Sequence, residues 1–389
     1  MIEPKLRFKK DDGSDFPDWE EKKLGDVCDT LTYGMNAAAV KFDGENKYIR
    51  ITDIDDESHC YKNDELVSPD GELDNKYLVC ENDILLARTG ASVGKSYLYN
   101  KEDGKLYYAG FLIKAHVKSE NSKFIFFQTL TERYDKWVKI TSMRSGQPGI
   151  NANEYSDFTM NVPSLPEQQK IADFLSTIDT IIEKQRATVS AWEERKKGVM
   201  QKLFSQEVRF KADDGSDFPD WEEKEVKDVC SVSTGKSNTQ DKVDSGKYEF
   251  YVRSPIVEHS DKYLFDEEAV ITVGDGVGTG KVFHYVNGKY NLHQRCYRMY
   301  DFMGVIGKYF FYFFSQNFYR RIKAMSAKTS VDSVRMEMIT KMKMNVPSLP
   351  EQQKIADCLS ALDTVIEKQK ETLEKWQELK KGLLQQMFV

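Results

Sequence analysis

The sequence contains no Pro-Pro pair, no HExxH pair and no CxxC. The first absence removes the Pro-Pro-[Tyr/Phe] motif of amino-methyltransferases. The second removes the zinc-protease pattern, and a serine-nucleophile elbow is not expected either. Histidine is scarce: five residues, at 59, 116, 259, 284 and 293. His59 and Cys60 are adjacent but have no ligand partners at metal spacing, so a surface turn is expected there. The six cysteines, at 28, 60, 80, 230, 296 and 358, form no framework and read as reduced thiols. No apolar run reaches membrane-spanning length and no leader is apparent, so a soluble cytoplasmic protein is expected. A net charge of −7 over 389 residues gives no global sign of a nucleic-acid binder.

What is present is a duplication. Residues 161–173 read NVPSLPEQQKIAD, and 345–357 repeat the same letters. Residues 8–28 and 210–230 match at 17 of 21 positions, and 161–204 and 345–388 match at 29 of 44. Between these blocks lie two inserts of 132 and 114 residues (29–160 and 231–344) that align poorly. The frame is repeated and the inserts have diverged, which points to one structural task and two different readings.

The second block reads as a long helix in each copy, over 167–203 and 351–387. Ser164 to Glu167 and Ser348 to Glu351 spell a capping box with proline in the first turn. Apolar residues then recur in heptads: Ile171, Ile178, Trp192 and Val199 on one line, with Leu175, Ile182, Val189 and Leu203 on another. The second copy has Ile355, Leu362, Trp376 and Leu383, and Leu359, Ile366, Leu373 and Met387. Gln185 and Gln369 interrupt the first line at the same place, where a polar residue can fix register. Chain order requires the second helix to begin where the first ends. The pair is therefore expected to run antiparallel about a pseudo-twofold axis, as a spacer of roughly 55 Å with one insert at each end.

The inserts read as mixed α/β globules. Strands are expected at 47–54, 83–88, 95–99 and 107–117, with a helix at 122–140. In the second insert strands are expected at 248–253, 269–273, 281–286 and 290–300, with a helix at 305–325. Phe310, Phe311, Phe313, Phe314 and Phe318 are expected in the core. The first insert carries 16 basic and 21 acidic residues, the second 17 and 12. Basic runs precede the long helix in both copies.

Two glycine-rich stretches resemble phosphate loops without matching them. In Gly90-Ala-Ser-Val-Gly-Lys95 the first required glycine is Thr89. In Gly276-Val-Gly-Thr-Gly280-Lys281 it is Asp275, and Val282 replaces the magnesium-binding hydroxyl. Loops facing DNA fit better, since glycine allows close backbone approach and Arg, Lys, Gln and Asn supply phosphate and base-edge contacts. The candidates in the first insert are Arg50, Thr52, Arg88, Thr89, Ser92, Lys95, Arg144, Gln147 and Asn151. Those in the second are Lys236, Asn238, Arg253, Thr279, Lys281, Gln294, Arg295, Lys328 and Ser330. No catalytic or metal-binding residue is assigned.

The repeated plan, the PSLPEQQKIA helix start, the WEEKKLGDV opening and the RTGASVGK loop resemble the specificity subunit of type I restriction–modification systems. The resemblance spans essentially the whole chain. It implies an α+β protein with target recognition domains at 1–163 and 208–347 and conserved spacer helices at 164–207 and 348–389. It implies a non-catalytic subunit that binds a bipartite, asymmetric double-stranded DNA target. Partners would be two methyltransferase subunits and the restriction (translocase and nuclease) subunits. S-adenosylmethionine, ATP and magnesium would belong to those partners, with no cofactor in this chain and no membrane contact. Two other readings of the residues stay open: a nucleotide-binding enzyme using the Gly90–Lys95 loop, and a coiled-coil scaffold without nucleic acid.

Overall fold

The structure, a computed structural model, describes residues 4–29, 31–144, 146–276, 278–325 and 333–388. The chain divides into two units: Met1–Arg186 with Glu371–Val389, and Ala187–Lys370. Both long helices, Leu165–Phe204 and Leu349–Met387, are cut at mid-length by this division. They start two residues earlier than the heptad pattern predicts, because Leu-Pro occupies the first turn, where proline lacks no needed donor.

Each unit is built the same way. The first repeated block supplies a strand that closes against the entry to the long helix. Glu20–Lys23 pairs antiparallel with Thr159–Val162, and Glu222–Glu225 with Lys343–Val346. The insert between them carries a sheet with a core on both faces, because successive side chains alternate sides. Ile84 and Leu86 face one core; Leu85 and Ala87 face the other. In the second unit Val270 faces the helices, while Ala269, Ile271 and Val273 face away from them. Phe310, Phe313, Phe314 and Phe318 are buried and Phe311 packs against them, so the aromatic run is core.

The helix ends belong to these cores. Ile171, Ala172 and Leu175 meet Leu384, Met387 and Phe388 in one cluster with Phe124 and Tyr155. Met200 and Leu203 meet Ile355, Ala356 and Leu359 in another with Tyr309 and Phe313. Residue numbers rise along one helix as they fall along the other. In the first unit the ion pair Asp179–Lys380 (2.6 Å) joins them; in the second Glu193–Lys370 (2.7 Å) and Lys196–Asp363 do. Within each unit the pairing is antiparallel, as the chain order requires. Ile178 is buried, and Gln185, Trp192, Leu362, Gln369 and Trp376 are half-buried along the same helices. The Leu6 N–H donates to the Gln386 carbonyl (2.9 Å), tying the two ends of the described chain together.

The capping box does not form. Among the described residues the buried Ser164 and Ser348 hydroxyls have no hydrogen-bond partner. The Glu167 carboxylate is taken instead by Arg7, through Nε (3.1 Å) and Nη2 (2.9 Å). Glu351 is taken by Arg209 in the same bidentate way (3.0 and 2.8 Å), with Trp221 Nε1 added at 3.0 Å. Both glutamates are fully buried. The next residue is equally committed. Gln168 Nε2 donates to the Pro163 carbonyl and Glu120, and its Oε1 accepts from Asn121 N–H. Gln352 repeats this with the Pro347 and Gly304 carbonyls and Ile306 N–H. The Glu-Gln of the repeated motif is thus the joint between frame, helix and insert.

Four predicted elements break where a turn was not foreseen. The strand expected at 107–117 splits at a turn, Ala109–Leu112, into Leu106–Tyr108 and Leu112–His116. The strand expected at 290–300 splits likewise, at His293–Cys296. The helix expected at 122–140 is Ser122–Gln128 and Glu132–Thr141, with Thr131 capping the second piece through Tyr134 N–H (3.3 Å). The strand begun at Lys47 ends at Ile49, and a single 3-10 turn, Ile51–Asp53, follows.

Removing one member of a buried ion pair leaves an uncompensated charge, a loss of about 3–5 kcal/mol. Arg7→Met is therefore expected to destabilise the first unit by about that amount in urea unfolding followed by tryptophan fluorescence. Amide exchange should accelerate over residues 8–28 and 159–175 and leave 222–225 and 343–346 protected.

Candidate nucleic-acid interface

The two glycine loops occupy the same backbone site in the two units. Each joins antiparallel strands: Asp83–Ala87 to Ser96–Leu98, and Phe265–Val273 to Phe283–Leu292. Each has glycine at positive φ in matching places, Gly90 and Gly94 (+79°, +90°) and Gly276 and Gly280 (+85°, +68°). A strand-to-strand turn has no helix N-terminus to receive a phosphate. Ser92 also falls in the spelling Gly90-Ala-Ser92-Val-Gly94, so the letters of a serine elbow are present, contrary to the expectation from sequence. The elbow needs a strand-to-helix turn, which this loop is not.

Beside each loop lies the turn that splits the long strand, and the same bonds tie the two together. Arg88 N–H donates to the Phe111 carbonyl (3.0 Å), and Gly274 N–H to the Arg295 carbonyl (2.9 Å). Ile150 N–H donates to the Arg88 carbonyl (2.9 Å), and Val334 N–H to that of Gly274 (2.7 Å). A crossing segment approaches so closely that only glycine fits: a Cβ on Gly34 would sit 2.2 Å from the Ala109 carbonyl oxygen, and one on Gly235 2.2 Å from that of Leu292. By these bonds Arg88 corresponds to Gly274, Thr89 to Asp275, and Phe111 to Arg295. The backbone is shared and the side chains are not.

In the first unit this site gathers several of the predicted residues. The Arg88 guanidinium lies 4.8 Å over the Tyr33 ring and reaches the Gly110 carbonyl (3.3 Å). Thr89 bridges to Gly149, and a side chain at Gly90 would come within 3.2 Å of exposed Gln147. Arg144 pairs with Glu154 and donates to the Thr141 carbonyl (2.8 Å). Asn151 caps the helix Ala152–Ser156, accepting from Glu154 N–H at 3.0 Å. Arg50 is bound bidentately by Asp53 (2.7 and 2.8 Å), next to exposed Thr52.

Lys95 and Ser92 are placed differently. They line a groove of about 1290 Å³ together with His59, Asp179 and Lys380. The Lys95 ammonium is nearly buried, bound to the Ile54 carbonyl (3.2 Å) and to Asp56.

In the second unit Asp275 organises the site. It accepts from Arg253 (3.1 Å) and Arg295 (2.5 Å). Partial burial pushes its carboxyl upward, but the hydrogen bonds from Arg295 and Arg253 outweigh this and hold it below the usual carboxylate range. Gln294 donates to Asn238 (2.5 Å), and Lys236 is exposed on the crossing segment. Thr279 is buried and braces the loop through the Gly276 carbonyl (2.6 Å); Lys281 lies over Tyr319. Lys328 and Ser330 lie outside the described residues.

Among the described residues one grouping has metal-ligand character: Cys80, Asp83 and His116, with donor atoms within 4.8 Å of one another. His116 Nδ1 and Cys80 N already bond Asp83, and the Lys114 ammonium lies 3.7 Å from the same carboxylate. A cation there would face an ammonium, so no metal role is assigned. No helix among the described residues is long and apolar enough to cross a membrane.

Sequence reasoning missed Arg7, Arg209, Phe111 and Asp275. For the first two a signal was available, since Arg7 and Arg209 repeat at the same offset as the block one residue downstream. Phe111 and Arg295 occupy equivalent places in segments with no alignable similarity.

The chain matches the family described as Type I restriction modification DNA specificity domain over residues 17–189 and 219–375. It is 26% identical to the type I restriction enzyme MjaVIII specificity subunit of Methanocaldococcus jannaschii, over 95% of this chain and 92% of that one. It is 25% identical to the putative MjaX specificity subunit of the same organism, over 95% and 93%. Its fold is similar to that of the S subunit of a type I restriction–modification system from M. genitalium, with a TM-score of 0.63, 14% identity and coverage of 100% and 99%. A chain from a type I R-M system whose complex assembly and conformational transition have been described matches with a TM-score of 0.51, 16% identity and coverage of 95% and 97%.

Lys95→Met is expected to lower stability by about 1 kcal/mol, the worth of a charge-assisted bond to a carbonyl with a largely solvated partner. ATP should show no saturable binding to the wild-type protein in equilibrium dialysis; saturable binding abolished by this substitution would restore the phosphate-loop reading.

Proposed function

The chain belongs to the type I restriction–modification DNA specificity family, and from that membership we propose that it reads a bipartite, asymmetric DNA sequence through two unlike modules. One observation carries the proposal: the same loop-and-turn backbone recurs in both units with different side chains upon it. The module in the first unit offers Arg88, Thr89 and Gln147; the other offers Lys236, Asn238, Arg253, Gln294 and Arg295. Arg, Gln and Asn make bidentate contacts with guanine or adenine edges, and the cations among them hold phosphates.

The frame has a second task in this proposal. Its blocks are duplicated because it holds two identical methyltransferase subunits, with restriction subunits completing the assembly. This chain selects the site. S-adenosylmethionine, ATP and magnesium belong to the partner subunits, and adenine methylation or cleavage is their chemistry.

Exchanging residues 29–158 for the corresponding insert of another family member should change one half of the recognised sequence and leave the other intact. Genome-wide mapping of methylated adenine, in cells making the variant with its methyltransferase partner, reads the result. A change in both halves, or in neither, would sink the modular reading. Binding of the assembled complex to duplex DNA should fall as salt rises, with a log–log slope set by the phosphates neutralised.

A further inference from the structure

The tip of the strand-splitting turn differs between modules more sharply than anything around it. Ala109–Leu112 and His293–Cys296 are closed by the same bond, Leu112 N–H to the Ala109 carbonyl (2.8 Å) and Cys296 N–H to that of His293 (2.9 Å). At the third position one turn carries Phe111, 62% exposed; the other carries Arg295, whose side chain is 60% exposed. Both lean out beside the glycine loop. Backbone bonds close both turns, and Phe111 belongs to none of the packed clusters.

We propose that this position, Phe111 and Arg295, sets which base each module prefers. The proposal rests on the DNA-reading function above and assigns it to one residue per module. Arg295 does not swing freely. Asp275 binds its Nη1, and neutral His293, its pKa lowered by burial and by Arg253, accepts the Arg295 backbone N–H at Nδ1 (3.1 Å). A guanidinium fixed at one edge by a carboxylate presents its other edge as a fork, which matches the N7 and O6 acceptors of guanine. The first module has Thr89 where Asp275 stands, and its own arginine, Arg88, is drawn back over Tyr33. Phe111 is left as an apolar plane among polar groups. Such a side chain discriminates by contact with a thymine methyl or by pressing against a base step, without hydrogen bonds.

The test uses the assembled complex with its methyltransferase partner. It reads methylated motifs genome-wide and competition binding against duplexes altered one base pair at a time. Arg295→Ala and Asp275→Asn should each relax one position of one half-site, reducing discrimination there roughly 10- to 100-fold, the worth of one bidentate contact. Phe111→Ala should relax the other half-site and leave the first intact. Arg295→Lys should keep the salt slope, since the charge stays, but lose discrimination roughly tenfold through a matching fall in affinity for the cognate site, because an ammonium lacks the fork. Thermal unfolding of the Phe111 and Arg295 variants should match the wild type, as both side chains are largely exposed. Asp275, whose side chain is 20% exposed and paired with two arginines, has its variant's motif read alongside that variant's own melting curve.

Unchanged motifs in all variants would overturn the proposal, as would relaxation of the same half-site by Phe111→Ala and Arg295→Ala. Undiminished discrimination in Arg295→Lys would reduce Arg295 to a phosphate contact and overturn it too. If the wild-type complex marks no bipartite motif at all, the function proposed above fails instead.

Discussion

A buried carboxylate without its cation would be among the most expensive groups in this protein, and the frame is arranged so that neither Glu167 nor Glu351 is ever in that position. Arg7 and Arg209 come from the chain segment before each insert, and the glutamates from the segment after it. The pair therefore closes each insert at its base, much as a clasp closes a loop. The neighbouring glutamines extend the closure to the insert itself, through Asn121 and Ile306. Strand pairing between Glu20–Lys23 and Thr159–Val162, and its counterpart, then fixes the register.

With the base fixed, the inserts are free to vary. Their sheets keep a two-faced core, and the face toward the long helices is completed by the helix ends. The connections between their strands carry the loops. A glycine at each close crossing, Gly34 or Gly235, keeps the backbone geometry there constant whatever the side chains are. Divergence is thus concentrated on a surface where changing a residue costs the fold little. A module whose purpose is to differ from its twin requires that separation.

The long helices were legible because their signal is local and repeated: heptad spacing, proline in the first turn, and a matched interruption at Gln185 and Gln369. The antiparallel pairing followed from chain order. Ser164 and Glu167 misled because a capping box is a local rule, while the carboxylate was captured by an arginine 160 residues away. The broken strands at Ala109–Leu112 and His293–Cys296 hid for another reason. Both flanks are rich in strand formers, and nothing at His293–Cys296 resembles a turn sequence. The grouping of the candidate residues was partly legible. Arg88, Thr89 and Gln147 do meet, but Asn151 caps a helix and Lys95 is held by Ile54 and Asp56, functions that only tertiary structure assigns.

The division of the chain has a consequence in time. Synthesis runs from the first insert to the last helix, yet the core of the first unit includes Leu384, Met387 and Phe388. The first reader to leave the ribosome is therefore the last to be finished. Until residues 371–388 emerge, Phe124 and Ile171 lack part of their apolar cover, and the Leu6 amide lacks its acceptor at Gln386. The second unit spans 187–370 without interruption and can close first. A chain stalled or truncated soon after residue 370 would carry an intact second reader and an open first one, exposing apolar surface of the kind that quality control recognises.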